Sequence, residues 1–282
     1  MTASPTGGPY VALGDSYTAG LKLDPPGGGP KGCGRSTANY PSLVAARLDL
    51  APDRFTDVSC ASATTADLTS AQQVSGGPNP PQLDALTPDT RLVTVGIGGN
   101  DAQFSNVLEQ CIEDGLKNDM KKWVDPAKAS AAPCQAAYTA PDGSSKLDAL
   151  LGTVGQRLSA VLAEVGRRAP AAKVYVVGYP ALLPVDPADC THTLGQAMAP
   201  GDVTFLDTEE QHLNAELRQQ AQAAGAVYVD TYTPSVGHDM CAGKSNRWIE
   251  PPLPSAGRAP VHPNAAGQQG MAAAVLASVG RG

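Results

Sequence analysis

Tyr10-Val11-Ala12-Leu13-Gly14-Asp15-Ser16-Tyr17-Thr18-Ala19-Gly20 is an apolar run that stops at a glycine, an aspartate and a serine and then continues into residues able to open a helix. Four further short runs, rich in β-branched residues and bounded by Gly, Asp or Pro, repeat its first half at 55–58, 92–97, 174–177 and 226–229. Continuous apolar runs of this length read as strands buried on both faces. Helical patterns occupy 40–48, 147–168, 208–224 and 265–279. Strand and helix in alternation predict an α/β, doubly wound, three-layer sandwich, because parallel strands need crossovers and both sheet faces must be covered. The stretches 101–146 and 181–207 are Pro/Gly/Ala-rich excursions expected to form the rim of a site.

Composition narrows the function classes. The chain has 282 residues, of which 30 are Gly and 25 Pro, and only 17% are charged, so neither a coiled coil nor a charge-driven disordered protein fits. No stretch approaches the ~18 consecutive apolar residues of a membrane helix. The net charge of −7, with no basic run longer than Lys121-Lys122, lacks the positive field that nucleic acid or an anionic membrane requires. One domain over 1–282, with its core at about 10–279, is expected, acting as a monomer.

The six cysteines, at 33, 60, 111, 134, 190 and 241, contain no Cys-x-x-Cys pair. An even number in Gly/Pro-rich loops reads as three disulfides and an oxidising compartment, with 15 pairings open from sequence. Closure of nearest neighbours would pin three loop-rich segments. No signal-like segment precedes Tyr10, so a secreted protein would be represented here by its mature part.

In an open parallel sheet, chemistry collects beyond the carboxyl ends of the strands. The first strand delivers Ser16 there, at a sharp turn beside a helix N-terminus. A serine hydroxyl needs a base to take its proton and donors to hold the oxyanion it creates; alone at such a place, a serine is an N-cap. The third strand ends in Val95-Gly96-Ile97-Gly98-Gly99-Asn100-Asp101, where Asn100 can aim its amide beyond the sheet; taken alone, Asn-Asp is a turn. Val261-His262-Pro263-Asn264 precedes the closing helix and sets His262, one of four histidines, at its entrance as the candidate base.

GDSYTAG at 14–20, GIGGND at 96–101 and VHPNAAG at 261–267 resemble, in this order and spacing, the first, third and fifth blocks of the SGNH or GDSL-type hydrolases. DVSCASATT at 57–65, GHDMC at 237–241, RWIEP at 247–251 and the six cysteines are similar to the disulfide-bonded secreted lipases and esterases of actinobacteria within that family. The resemblance covers Tyr10 to about Val279. It implies a flavodoxin-like five-stranded parallel sheet in the order 2-1-3-4-5, hydrolysis of small-molecule or lipid acyl esters through an acyl-serine, no metal and no cofactor, and the pairs Cys33–Cys60, Cys111–Cys134 and Cys190–Cys241. It assigns Ser16 as nucleophile, His262 as base and then acid, and the Ser16 N–H and the Asn100 amide as oxyanion donors.

Two positions depart from the family pattern. Where the second block usually has Gly, this chain has Ser62; the donor there is a backbone N–H, which Ser also owns, provided it can take the same backbone conformation. Where many relatives place an Asp three residues before the histidine, this chain has Ala259. A main-chain carbonyl accepts as a carboxylate does and keeps the same imidazole tautomer, so a Ser–His dyad with the Ala259 carbonyl as third member is expected. The alternatives on the same residues are an acyltransferase or carbohydrate O-deacetylase, or a binding module that no longer catalyses.

Other candidates read as structural: Asp15 as a brace of the turn, Asp101 as a cap of the next turn, His238-Asp239 as rim, His192 and His212 as solvated surface. No His/Asp spacing supplies three or four converging metal ligands. Phe104, Val107, Leu108, Trp123 and Leu183 are the candidate lining of an acyl groove, against the alternative that a helical stripe of this kind is core.

Overall fold

In a computed structural model, residues 8–190 and 198–280 are described. The five expected runs form one parallel sheet: β1 (Tyr10–Gly14), β2 (Phe55–Asp57), β5 (Leu92–Gly96), β6 (Lys173–Val177) and β7 (Val227–Val229). The numbers 3 and 4 belong to a separate antiparallel hairpin, β3 (Gln72–Val74) and β4 (Gly77–Asn79), which the sequence reading passed over. The sheet order is β2-β1-β5-β6-β7, so its own strands run 2-1-3-4-5. Registers such as Tyr10↔Leu92 and Leu13↔Val95 align the ends of β1 and β5 and therefore the residues that follow them.

Side-chain alternation divides the core between the two faces. Val11, Leu13, Val93, Val95 and Val176 pack with α5 (Asp148–Arg168) and α6 (Pro200–Ala223). Tyr10, Ala12, Leu92, Tyr175 and Val177 pack with α2 (Tyr40–Arg47) and α7 (Ala265–Val279). A third cluster, with Val107, Leu108, Leu182, Leu183, Phe205 and Leu206, lies at the side where the strands end. It contains Cys111–Cys134 and Cys190–Cys241, while Cys33–Cys60 ties the loop after β2 to the segment after α1 (Ser16–Ala19).

The excursions are more helical than expected. Residues 104–124 form α3 (Phe104–Val124), which buries Val107, Leu108, Cys111, Gly115 and Asn118 at three- and four-residue spacings. A short helix, α4 (Pro133–Tyr138), follows. The helix expected from 208 starts at Pro200, where proline sits in the first turn and needs no amide partner. Pro133 and Pro200 in these stretches open helices rather than marking continuous loop.

Candidate active site

Ser16 opens the four-residue helix α1, and Asp15 is its N-cap, accepting from Tyr17 N–H at 2.9 Å. Such a short helix has no stability of its own; its surroundings hold it. Asp15 N–H donates to Gly96 O on the neighbouring strand at 3.0 Å. Gln82, fully buried, accepts from Gly14 N–H at 2.8 Å and donates to Gly14 O at 2.9 Å, clamping the end of β1. Gln268 on α7, also fully buried, donates to Tyr17 O at 2.8 Å and accepts from Tyr40 N–H at 2.7 Å.

The Asp15 carboxyl has a second partner, the Tyr179 hydroxyl at 2.5 Å, which itself accepts from Gly99 N–H at 2.8 Å. Burial pushes Asp15 up to about 6 against the opposing pull of these hydrogen bonds, leaving it ionised at neutral pH. Asp15 thus braces the turn, and Tyr179 links the serine turn to the glycines after β5. Asp101 does not cap its own turn: it accepts from Thr65 N–H and Oγ at 2.9 and 2.6 Å and pairs with Arg157 at 3.2 Å, anchoring the loop that carries Ser62.

His262 Nε2 lies 2.8 Å from Ser16 Oγ, and Nδ1 lies 2.6 Å from the carbonyl of Pro260. The expectation of Ala259 is corrected to Pro260. The family's Asp reaches the ring with its side chain, whereas a main-chain carbonyl has no such reach and must come from a residue nearer the histidine. Val261, at φ 56, makes the turn that brings that carbonyl back to the ring. A carbonyl only accepts, so Nδ1 carries the proton and Nε2 accepts from the serine hydroxyl. Burial is the main cause that lowers the His262 pKa below its usual value; the Pro260 contact opposes this and the charge of Lys22 assists it.

Asn100 donates from Nδ2 to Ala63 O at 2.8 Å, which fixes the carboxamide and leaves its second N–H available. Ser62 holds φ 62, the left-handed conformation a glycine would adopt without strain. Ser16, Ser62, Asn100 and His262 border one cavity of about 390 Å³. Phe104 and Leu108 line it as expected, with Leu21, Ile112, Leu182 and Leu213. The other groove expectations are corrected: Val107 and Leu183 lie in the core, and Trp123, near the far end of α3, is 88% exposed.

His238 stacks on Trp248 with ring centroids 4.6 Å apart and Asp239 accepts from Cys241 N–H, and neither residue lines the cavity. His192 lies outside the described residues. The expectation that no metal-ligand types converge is also corrected: Asp148, Glu209 and His212 bring three candidate ligand atoms within 4.8 Å of one another. Asp148 comes from the start of α5 and the other two from α6, a tertiary meeting that no spacing encodes. Ser145 and His212 are the neighbours of the Glu209 carboxyl, and the group lines no part of the cavity.

The GDSL-like lipase/acylhydrolase family model matches residues 12–269, a span that runs from β1 through His262. This chain belongs to that family. It is 41% identical to Lipase 2 of Streptomyces coelicolor over 264 residues, 93% of this chain and 83% of the relative, and 33% identical to an esterase of Streptomyces scabiei, over 83% of this chain and 73% of the relative. Among solved structures it superposes on a phospholipase A1 from Streptomyces albidoflavus with a TM-score of 0.73 at 29% identity, covering 96% of this chain and 98% of the other. An extracellular lipase from Streptomyces rimosus gives 0.70 at 28%, covering 97% and 100%. This family member is a serine ester hydrolase.

Sequence reasoning missed Tyr179, Gln82 and Gln268. The rule that singled out Ser16 and Asn100, a polar residue just past a strand end, also applies to Tyr179 after β6. The glutamines carry no such signal, since their roles depend on which backbone groups the fold brings beside them.

Proposed function

We propose that Ser16 is the nucleophile and His262 its general base, in a secreted monomeric enzyme that cleaves carboxylic esters of small molecules or lipids, phospholipids included. The observation that carries this reading is the Nε2–Oγ separation of 2.8 Å combined with a carbonyl on Nδ1. As Ser16 Oγ attacks the acyl carbon, its proton passes to Nε2, and the resulting imidazolium keeps its Nδ1–H on Pro260 O. The Ser16 and Ser62 N–H groups and the Asn100 amide receive the oxyanion; neither backbone N–H has a hydrogen-bond partner within the chain among the described residues. Nε2–H then protonates the departing alcohol, and water repeats the sequence to release the acid. Each oxyanion donor is worth about 10²–10³ in kcat.

The missing carboxylate removes charge stabilisation of the imidazolium but not the tautomer. Lowered basicity suits a base that must be unprotonated near neutrality. Three disulfides support an extracellular site of action, as do the similarities reported above. The cavity, mainly apolar with a minority of hydrogen-bonding groups, suits an acyl chain held beside a reacting carbonyl.

Stoichiometric labelling with a fluorophosphonate, together with turnover by Ser16→Ala and His262→Ala, tests the assignment. Label on Ser16 and loss of most turnover in both variants are expected. A chain that never labels beside a reactive control, or a Ser16→Ala variant that hydrolyses as wild type, overturns it.

A further inference from the structure

The helix α3 uses its surface in two ways. Val107, Leu108, Cys111, Gly115 and Asn118 turn it to the core. A neighbouring stripe, Ser105, Glu109 and Ile112 at spacings of four and three, lines the catalytic cavity. The same spacings continue past the cavity as Leu116, Met120 and Trp123, which keeps all six positions on one side of the helix. Beyond the cavity every member of the stripe is apolar and at least half exposed, and Val124 beside it is exposed too. At 1.5 Å per residue the row extends about 16 Å from Ile112 to Trp123.

A lone exposed apolar side chain needs no explanation, but a row of them does. The core face of α3 is a separate set of residues, so the row is not surplus core. A second segment of the cavity wall repeats the arrangement: Pro252 lines the cavity, and the next residue, Leu253, is 93% exposed. Apolar side chains therefore stand out into solvent from two segments whose inner residues wall the same cavity.

The charges near the row come in opposite pairs. Lys117 lies 3.3 Å from Glu113 and 3.6 Å from Asp114, and Lys128 lies 3.1 Å from Asp125. The chain as a whole carries −7. Such a surface offers no grip on anionic lipid and meets no repulsion from a zwitterionic one, which leaves insertion of the apolar side chains as the means of attachment. A second copy of this chain seated on the row would make no use of its continuity with the cavity, whereas an aggregated ester gains a direct path into it.

We propose that Leu116, Met120 and Trp123 of α3, together with Leu253, form a docking surface for the zwitterionic surface of aggregated phospholipid, holding the mouth of the cavity against the lipid from which the ester is drawn. This rests on the reading of the cavity as the ester site. The Trp123 indole suits the headgroup level, where one edge of the ring is apolar and its N–H meets water or phosphate.

The test measures binding without turnover, by sedimentation of the full chain with vesicles of a dialkyl ether phosphatidylcholine, which present the headgroup surface and no ester to cleave. Wild type should bind, and its tryptophan emission should move to shorter wavelength on contact. Trp123→Gln should lose that shift, with Trp248, the other of the two tryptophans, as internal control. The triple variant Leu116→Gln, Met120→Gln, Trp123→Gln places a good helix former at three exposed positions. It should bind these vesicles about tenfold or more weakly, and Leu253→Ser should weaken binding in the same direction. The triple variant should keep kcat/KM on dissolved p-nitrophenyl butyrate within about twofold of wild type, as exposed substitutions do, which also reports that it is folded. On vesicles of ester-linked phosphatidylcholine its rate should fall about tenfold.

Absence of binding by wild type, or equal binding by wild type and triple variant, overturns the proposal. So does binding that appears only when phosphatidylglycerol is added, the mark of an electrostatic surface. A concentration-dependent dimer that the triple variant abolishes, with wild type ignoring vesicles, overturns it in favour of a second copy. A chain that labels with fluorophosphonate on Ser16 but ignores vesicles overturns the docking surface alone, whereas one that binds vesicles but never labels overturns the nucleophile reading on which the proposal rests.

Discussion

Val261 is β-branched and held at φ 56, beside the histidine whose orientation the site depends on. A non-glycine residue in this region costs about 1–3 kcal/mol and persists only where its surroundings over-determine it. Here they do: Val261 N–H donates to Glu250 O at 3.0 Å, Tyr17 OH donates to Val261 O at 2.6 Å, and Glu250 N–H donates to His262 O at 2.9 Å. The strain is the cost of bringing the Pro260 carbonyl under Nδ1. Val261→Gly should therefore keep the melting temperature near wild type while lowering kcat by about tenfold, because a freer backbone holds carbonyl and ring less closely. Unchanged kcat in steady-state assays would show that the turn does not govern the imidazole. Ser62, also left-handed, poses the opposite case, since only its N–H serves the proposed oxyanion site. Ser62→Gly should raise stability by up to about 1 kcal/mol and leave kcat within about twofold, measured by thermal melting and ester turnover. The pH dependence has a definite sign. Protonated His262 cannot act as base, and its lowered pKa places the acid limb of kcat/KM below the ordinary ~6.5. Lys22→Gln removes a positive charge that disfavours the imidazolium, so the limb should move to higher pH in a kcat/KM profile.

The strands were legible because a strand buried on both faces must be a short continuous apolar run, and few other structures demand one. α3 was not, because Gly, Pro and Ala around 101–146 suggested loop, while its buried face, 107, 108, 111, 115 and 118, includes a glycine and an asparagine that do not register as apolar. Asn118 earns its buried place by exchanging hydrogen bonds with Ser130 N–H and O, both at 2.8 Å. The start of α6 was likewise hidden, since the buried face of its first two turns carries Asp202 and Asp207. Polar residues buried on a helix defeat a reading by hydrophobic period. The same principle makes Gln82 and Gln268 consequential. Replacing Gln82 with Leu leaves the Gly14 N–H without its partner, the Gly14 carbonyl still accepting from Cys60 N–H at 3.0 Å, and replacing Gln268 with Leu takes their partners from Tyr40 N–H and Tyr17 O, at roughly 1–3 kcal/mol for each group orphaned. Gln82→Leu should lose about 1–3 kcal/mol and Gln268→Leu about 2–5 kcal/mol in denaturant unfolding, and both should lose kcat, because Ser16 sits on the segment they hold. Wild-type stability in either variant would mean that water or a neighbour takes over those bonds.

Across the molecule, three covalent ties secure the face that carries the site. They close 27, 23 and 51 residues of chain. On the chain-entropy view each contributes about 3–4 kcal/mol, so reduction should lower the melting temperature strongly and separate inactivation from any slow loss of the sheet, as followed by far-ultraviolet circular dichroism beside activity. Retention of full thermal stability under complete reduction would contradict this. The strands and the candidates Ser16, Asn100 and His262 rest on local patterns, apolar runs and the residues that follow strand ends or precede the closing helix, whereas the strand order, the role of Ser62 and the cysteine pairing rest on the motifs that carry the family resemblance. Chain connectivity could not reveal which carbonyl faces Nδ1, that Ser62 stands at positive φ, or that two glutamines clamp the serine turn. Strand and helix propensity act between residues a few positions apart and are written in the order of the chain. Hydrogen-bond satisfaction and backbone strain depend on partners as distant as Tyr17 and Val261, 244 positions apart, and exist only once the layers have packed.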